Sequence, residues 1–293
     1  MSIVETIRNK SKSIRKEVES VQKVQKASFL QKIDFRYVPP IFITLILLVG
    51  HFSFGILEGY SKILLTLGTC IITELVLSRF MLGKTKNLAS AYISGISVSI
   101  LIRSNLYWPY IVTAFLTIAS KYVLRYKGRH IWNPSNFGIS WMLFTAPFSV
   151  AGLSIQWGNN IWPMLVIWIL GLVIVARAKR YHITITYVLS FIFFAYIRSF
   201  ITGDPFLTEV APLTGPMYQL FIFFMITDPA TTVKSRNGQI LVAFAIALVE
   251  FILRLNQFIY APFYALFIVG PLFMIIDLNR KRKQEIEKVN IFK

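Results

Sequence analysis

The chain has 293 residues, 31 Lys and Arg against 13 Asp and Glu, and a formal net charge of +18. It is 55% hydrophobic and only 15% charged, with a mean hydropathy of +0.61; a soluble domain of this size carries about 25% charged residues. These values exclude an ordinary soluble enzyme and point to a single polytopic membrane domain, while the lone cysteine, Cys70, excludes an internal disulfide or a thiolate metal cluster.

Residues 1–37 form a basic segment. Val4, Ile7, Ile14, Val18, Val21 and Val24 recur there at helical spacing among Lys and Arg. The pattern predicts an amphipathic helix on the inner leaflet, with a partner-docking helix as the alternative. The segment is too polar and too long for the n-region of a cleavable signal peptide, and none is expected. From 38 to 276 apolar runs recur, most of them long enough to cross a ~30 Å hydrocarbon core as helix. They predict about ten transmembrane helices, at 38–57, 61–82, 87–103, 106–125, 134–150, 160–177, 182–202, 213–227, 237–254 and 257–276. Residues 277–293 form a basic tail.

Charge alternates along the connections. Lys and Arg crowd the N-terminal segment, 79–86, 121–129, 177–180, 234–236 and the tail, and only Lys62, Arg103, Arg198 and Arg254 fall on the other side. The positive-inside rule therefore puts both termini in the cytoplasm, in an inner (cytoplasmic) membrane, and requires an even number of spans. The basic excess is read as topology and attraction to the anionic lipid bilayer, about 1 kcal/mol per residue near the surface, and not as nucleic-acid binding. Tyr107, Trp108, Trp157, Trp162 and Tyr181 stand near span ends and are expected as interfacial anchors.

The ten spans divide into halves of five, about 38–150 and 160–276. Lys121-Tyr-Val-Leu-Arg125 aligns with Glu250-Phe-Ile-Leu-Arg254, and Pro134 with Pro262 across one gap. The third span of each half is short, "AYISGISVSILIR" at 91–103 and "YQLFIFFMITDP" at 218–229. An odd number of spans per half reverses the second half. The expected fold is thus all-α, two inverted five-helix repeats with short or broken third helices, a pattern that points to a site near the midplane. Short spans also arise where a helix tilts less or thins the bilayer.

Each half carries a polar residue followed by proline. Asn133-Pro134 reads as a helix cap and first helical residue. In "FFMITDPATTVKSRNG" (223–238), Asp228-Pro229 reads as the same device, a stop followed by a fresh helical start. Such starts aim free N–H groups and partial positive charge at a ring carbonyl, a phosphate or another anion. A surface cap that binds nothing is the plain alternative.

Ionisable groups inside spans cost a few kcal/mol on insertion scales and are functional candidates. Glu74, Lys121 and Glu250 are the candidates for an ion or proton pathway. Glu250 is placed to pair with Arg254 four residues on. Glu74 has no partner at helical spacing, Arg79 being five residues away, and is the stronger pathway candidate. Lys121 and Glu250 occupy equivalent repeat positions with opposite charge and would polarise a shared cavity from two sides. His51, His130 and His182 lack the spacing of a haem pair or metal site, and no metal is expected. His130 stands closest to a motif and is placed to contact phosphate. The absence of G-x-G-x-x-G, Walker and C-x-x-C sequences leaves no catalytic motif of its own, so electrons would have to arrive from another subunit.

Two stretches carry a family resemblance. "GRHIWNPSNFG" (128–138) resembles the G-x-H-x-F-N-P-A segment of the NqrB/RnfD family, and "FFMITDPATT…RNGQ" resembles its F-F-M-A-T-D-P-V-T…R-G-R segment. These are membrane subunits of the sodium-translocating NADH:quinone oxidoreductase and of the Rnf electron-transport complex. The wording of "AYISGISVSILIRS" is closer to the shorter, UnbU-like branch found with enediyne biosynthesis clusters. The resemblance spans roughly 38–276. It implies a ten-helix inverted-repeat fold, flavin-mediated electron transfer coupled to ion movement, and other redox subunits as partners. The cofactor-binding candidates for flavin, quinone or an anion are then His130, Asn133, Pro134, Asn136, Gly138, Thr227, Asp228, Pro229 and Thr231. The family's S/T-G-A-T sequence for covalent FMN is missing, the nearest text being "LTGP" at 213–216, and Ser135 stands where the family usually has alanine. Covalent FMN is therefore not expected, and non-covalent FMN, riboflavin or quinone stays open. The alternative is a solute or ion transporter, or a channel, on the same fold without a redox role.

Overall fold

The computed structural model describes residues 40–42, 44–45, 48, 51–52, 59–85, 87–152 and 161–291, with the side chains of 161–163, 281 and 283–291 outside the description. The amphipathic helix expected within 4–33 and Trp157 lie outside the described residues, as does the side chain of Trp162. Phe42–Lys293 form one compact unit. The described residues between 40 and 52, within the first expected span, are helical.

Ten further α-helices follow among the described residues. The first five are α1 (Tyr60–Leu82), α2 (Ala89–Leu101), α3 (Trp108–Val123), α4 (Pro134–Thr145) and α5 (Ile161–Arg177). The others are α6 (Tyr181–Thr202), the short α7 (Phe206–Val210), α8 (Pro216–Leu220), α9 (Arg236–Leu255) and α10 (Ala261–Ile291). Tyr60–Leu82, Tyr181–Thr202, Arg236–Leu255 and Ala261–Arg280 are each long and apolar enough to cross a bilayer. The chain is an α-helical, multi-pass membrane protein.

The first of these helices is inside out relative to one of a soluble protein. α1 buries Thr66, Cys70, Thr73, Glu74 and Ser78 and turns Leu64, Ile72, Val76 and Phe80 outward. Lipid tails solvate leucine as well as another helix does, so small and polar residues carry the helix–helix contacts. The polar face of α1 packs in this way on α2 and α3, and α3 on α4. In the second half α9 packs on α6 and α10, and α4 meets α10. Gly138 of α4 sits against α3 so closely that a Cβ there would lie 2.2 Å from Thr117 Oγ1.

Several boundaries differ from expectation for local reasons. α2 stops at Leu101 because the chain turns into a strand, β1 (Ile102–Arg103), antiparallel to β4 (Ala151–Gly152). At about 1.5 Å per residue, its 13 residues reach only about 20 Å. Pro216–Leu220 continues as a π-helical turn, Phe221–Met225, a form common at functional sites. α10 does not stop at 276 but runs on through the tail to Ile291. Tyr107, Trp108 and Tyr181 stand at helix starts with much of their surface exposed.

Candidate functional site

The first motif is built by a hairpin. β2 (Arg125–Tyr126) pairs with β3 (Arg129–His130) through Lys127 and Gly128, both at positive φ. Two such central residues make the tight turn that matches strand twist. Asn133 then caps α4: its side chain accepts from the Asn136 N–H at 3.0 Å, with Pro134 as the first helical residue. The expected helix start is present.

Asp228-Pro229 corrects the second expectation. No helix starts there; residues 229–231 form turns, and α9 begins at Arg236 with Ser235 as its cap. Asp228 instead closes a turn on itself. One carboxylate oxygen accepts from the Ala230 N–H at 2.9 Å, and the other accepts from the Thr231 hydroxyl at 2.9 Å and from Asn133 Nδ2 at 3.1 Å. Thr232 donates back to the Asp228 carbonyl at 2.6 Å, and Thr227 to the Phe223 carbonyl at 2.6 Å. Two local donors, the Ala230 N–H and the Thr231 hydroxyl, engage both carboxylate oxygens before a helix can use them.

The Asn133–Asp228 bond joins the two proline motifs across 95 residues of chain. Arg129 fastens the hairpin to the same turn by donating to the Ala230 carbonyl at 2.7 Å. Asn136 and Gly138 lie farther along α4. Asn136 donates to the Phe263 carbonyl at 3.1 Å, as does Ser140 at 3.2 Å, while Trp132 donates to the Phe267 carbonyl at 2.9 Å. The Asn136 side-chain oxygen is buried and accepts no hydrogen bond from the described residues. His130 is half-buried in β3.

The pathway candidates fall into two other clusters. Glu74 of α1 accepts from Lys121 Nζ at 3.2 Å and from the Tyr122 hydroxyl at 2.6 Å, both on α3, and Lys121 also donates to Ser90 at 3.1 Å. The partner that helical spacing withheld from Glu74 stands on another helix. Lys121, which charge alone assigns to a connection, is buried within α3. Glu250 of α9 pairs with Arg254 at 3.1 Å, as expected, and accepts from the hydroxyls of Tyr187 and Tyr218. Lys121 and Glu250 are thus each engaged in their own cluster and do not polarise one shared cavity.

Sequence reasoning missed a vestibule that shares Tyr218 and Arg254 with the Glu250 cluster. A cavity of about 390 Å³ is lined by Arg198, Asp204, Glu209, Tyr218, Arg254 and Tyr260 among others. Arg198 is ion-paired with Glu209. A second void of about 10 Å³, room for about one water, is lined by Ala195, Arg198, Glu250 and Arg254 among others and so shares both arginines with the first. The only hint in the sequence was that Arg198 and Arg254 break the charge rule. Also missed was Arg180, whose guanidinium senses the charges of Asp228 and Arg129. Burial pulls its guanidinium below the ordinary arginine range, Asp228 opposes this, and Arg129 adds to it.

No family model matches the chain. Over 107 residues the chain is 28% identical to a protein of Erwinia tasmaniensis, the D component of its ion-translocating oxidoreductase complex. That stretch is 36% of this chain and 29% of the relative. The likeness thus covers about a third of each protein.

Proposed function

We propose that this protein is a membrane subunit of an ion-translocating electron-transport complex, of the RnfD/NqrB kind and its shorter UnbU-like branch. In this reading the helices form ten spans in two inverted halves, in an inner membrane with both termini cytoplasmic. A flavin or quinone is held without a covalent bond where the two proline motifs meet, and other subunits deliver electrons. The observation that carries the reading is the Asn133–Asp228 hydrogen bond, which brings both resemblance motifs into one site. The Asn136 oxygen, buried and without a donor among the described residues, supports it, since a ring N–H is the kind of donor that would satisfy such an acceptor. A bound flavin would supply the electron-accepting ring, and the chain's own residues would orient it. Purified protein with absorbance at about 450 nm that is extractable by denaturation supports the reading. Colourless protein from flavin-replete membranes, with no extractable quinone, overturns it.

The vestibule favours a second reading, a transporter or channel. A cavity of about 390 Å³ that shares Arg254 with a buried carboxylate would admit a small solute or cation to the edge of the Glu250 cluster. Flux in proteoliposomes by colourless protein, lost in Glu250→Gln, is its expected signature.

A further inference from the structure

We propose that Arg129 and Arg180 form a site for a phosphate-type oxyanion beside the Asp228 turn. The site deepens the proposed function, resting on it for the place of the ligand, and names the charge and shape of the group bound there. Arg129 uses Nη2 on the Ala230 carbonyl, and its Nη1 is buried with no partner among the described residues. The Nη1 of Arg180 is likewise buried and without a partner among them. The Asp228 carboxylate already accepts from Ala230, Thr231 and Asn133, three of its roughly four acceptor positions, so it has no room for both guanidinium groups.

The Arg180 guanidinium senses the charges of both Asp228 and Arg129, so two cations share one carboxylate, leaving one positive charge and two donors without partners among the described residues. A buried donor without an acceptor costs about 1–3 kcal/mol, and more when charged. Natural sites relieve that cost with water or a ligand, and guanidinium forks match tetrahedral oxyanions in geometry as well as charge. The surrounding backbone agrees. α4 and α6 both begin here, after Asn133 and Arg180. The start of α9 is tied to that of α6 by His182 Nε2 and Gln239 Oε1, 2.6 Å apart. Helix starts carry partial positive charge, which favours an anion over a neutral ligand.

The phosphate can be a free ion, part of a soluble cofactor, or a lipid headgroup. The test uses the purified full-length protein in neutral detergent. Inorganic phosphate, titrated against chloride at constant ionic strength, is expected to raise the thermal midpoint saturably. Arg129→Gln and Arg180→Gln are expected to weaken that binding roughly tenfold or more. Arg180→Lys, which keeps the charge and loses the fork, is expected to fall between, and Lys234→Gln to change nothing. In a second arm, vesicles containing phosphatidic acid are compared with pure phosphatidylcholine vesicles. Protection by phosphatidic acid alone, lost in Arg180→Gln, assigns the group to lipid. No protection by either probe, or protection unchanged in both glutamine variants, overturns the site and leaves the two nitrogens to water. Colourless protein that still binds phosphate removes the flavin reading and keeps this one. Flavin-loaded protein indifferent to phosphate and to both variants does the reverse.

Discussion

Two buried glutamates sit in comparable seams and are held differently. Glu74 lies between α1 and α3 and draws its cation, Lys121, from the neighbouring helix. Glu250 lies between α9 and α6 and draws its cation, Arg254, from its own helix, with tyrosines from α6 and α8 completing the shell. Glu74 lines neither cavity, whereas Glu250 and Arg254 line the smaller void. One acid works as an interhelical clamp, and the other borders a void with room for about one water, next to the larger cavity. A buried charge pair is weak evidence for net stability, but breaking one is costly because the remaining charge has no water to return to.

The largest effect expected is from Lys121→Met, which strands Glu74. A loss of about 3–5 kcal/mol is anticipated, seen as a steep fall in thermal midpoint in detergent. Combining it with Glu74→Gln is expected to restore most of that loss, since the residual pair is neutral. If the double variant is as unstable as the single, the clamp is not the relevant interaction.

Glu250→Gln is expected to cost less, about 1–3 kcal/mol, because Arg254 borders the larger cavity and the amide oxygen still accepts from one of the two tyrosine hydroxyls. Its signature is functional: ion or solute movement falls by more than the folded fraction does. Equal losses of stability in Glu250→Gln and Lys121→Met would erase the distinction between the two seams.

Single tyrosine changes are the smallest test. Tyr122→Phe removes the hydroxyl that supports Glu74 and is expected to cost about 1–2 kcal/mol, whereas Tyr187→Phe leaves Glu250 with Tyr218 and Arg254 and is expected to cost about 1 kcal/mol or less. Chemical or thermal unfolding of the two variants side by side measures the difference.

Legibility followed the range of the interaction. The cap at Asn133 and the pair Glu250–Arg254 were readable because each partner lies within one helical turn. Asp228-Pro229 looked the same and behaved otherwise, because Thr231 and the Ala230 N–H captured its carboxylate first. The Thr231 and Thr232 side chains were the available signal, since short hydroxyl and carboxyl side chains compete with helix for the local backbone. Arg129 and Arg180 were hidden by their number: in a chain with 31 basic residues, each passed as one more topological charge.

Sequence alone determined that this is a helical membrane protein, where most apolar runs lie, and that two proline motifs punctuate it. Those properties depend on hydropathy and on backbone groups a few residues apart, and they are written locally. Only the tertiary structure decided that Lys121 meets Glu74, that Asn133 meets Asp228, and that Arg198 and Arg254 border one cavity. In lipid, helices are not driven together by hydrophobic burial. Which polar side chains find one another is set by close packing between distant segments, and no window along the chain contains it.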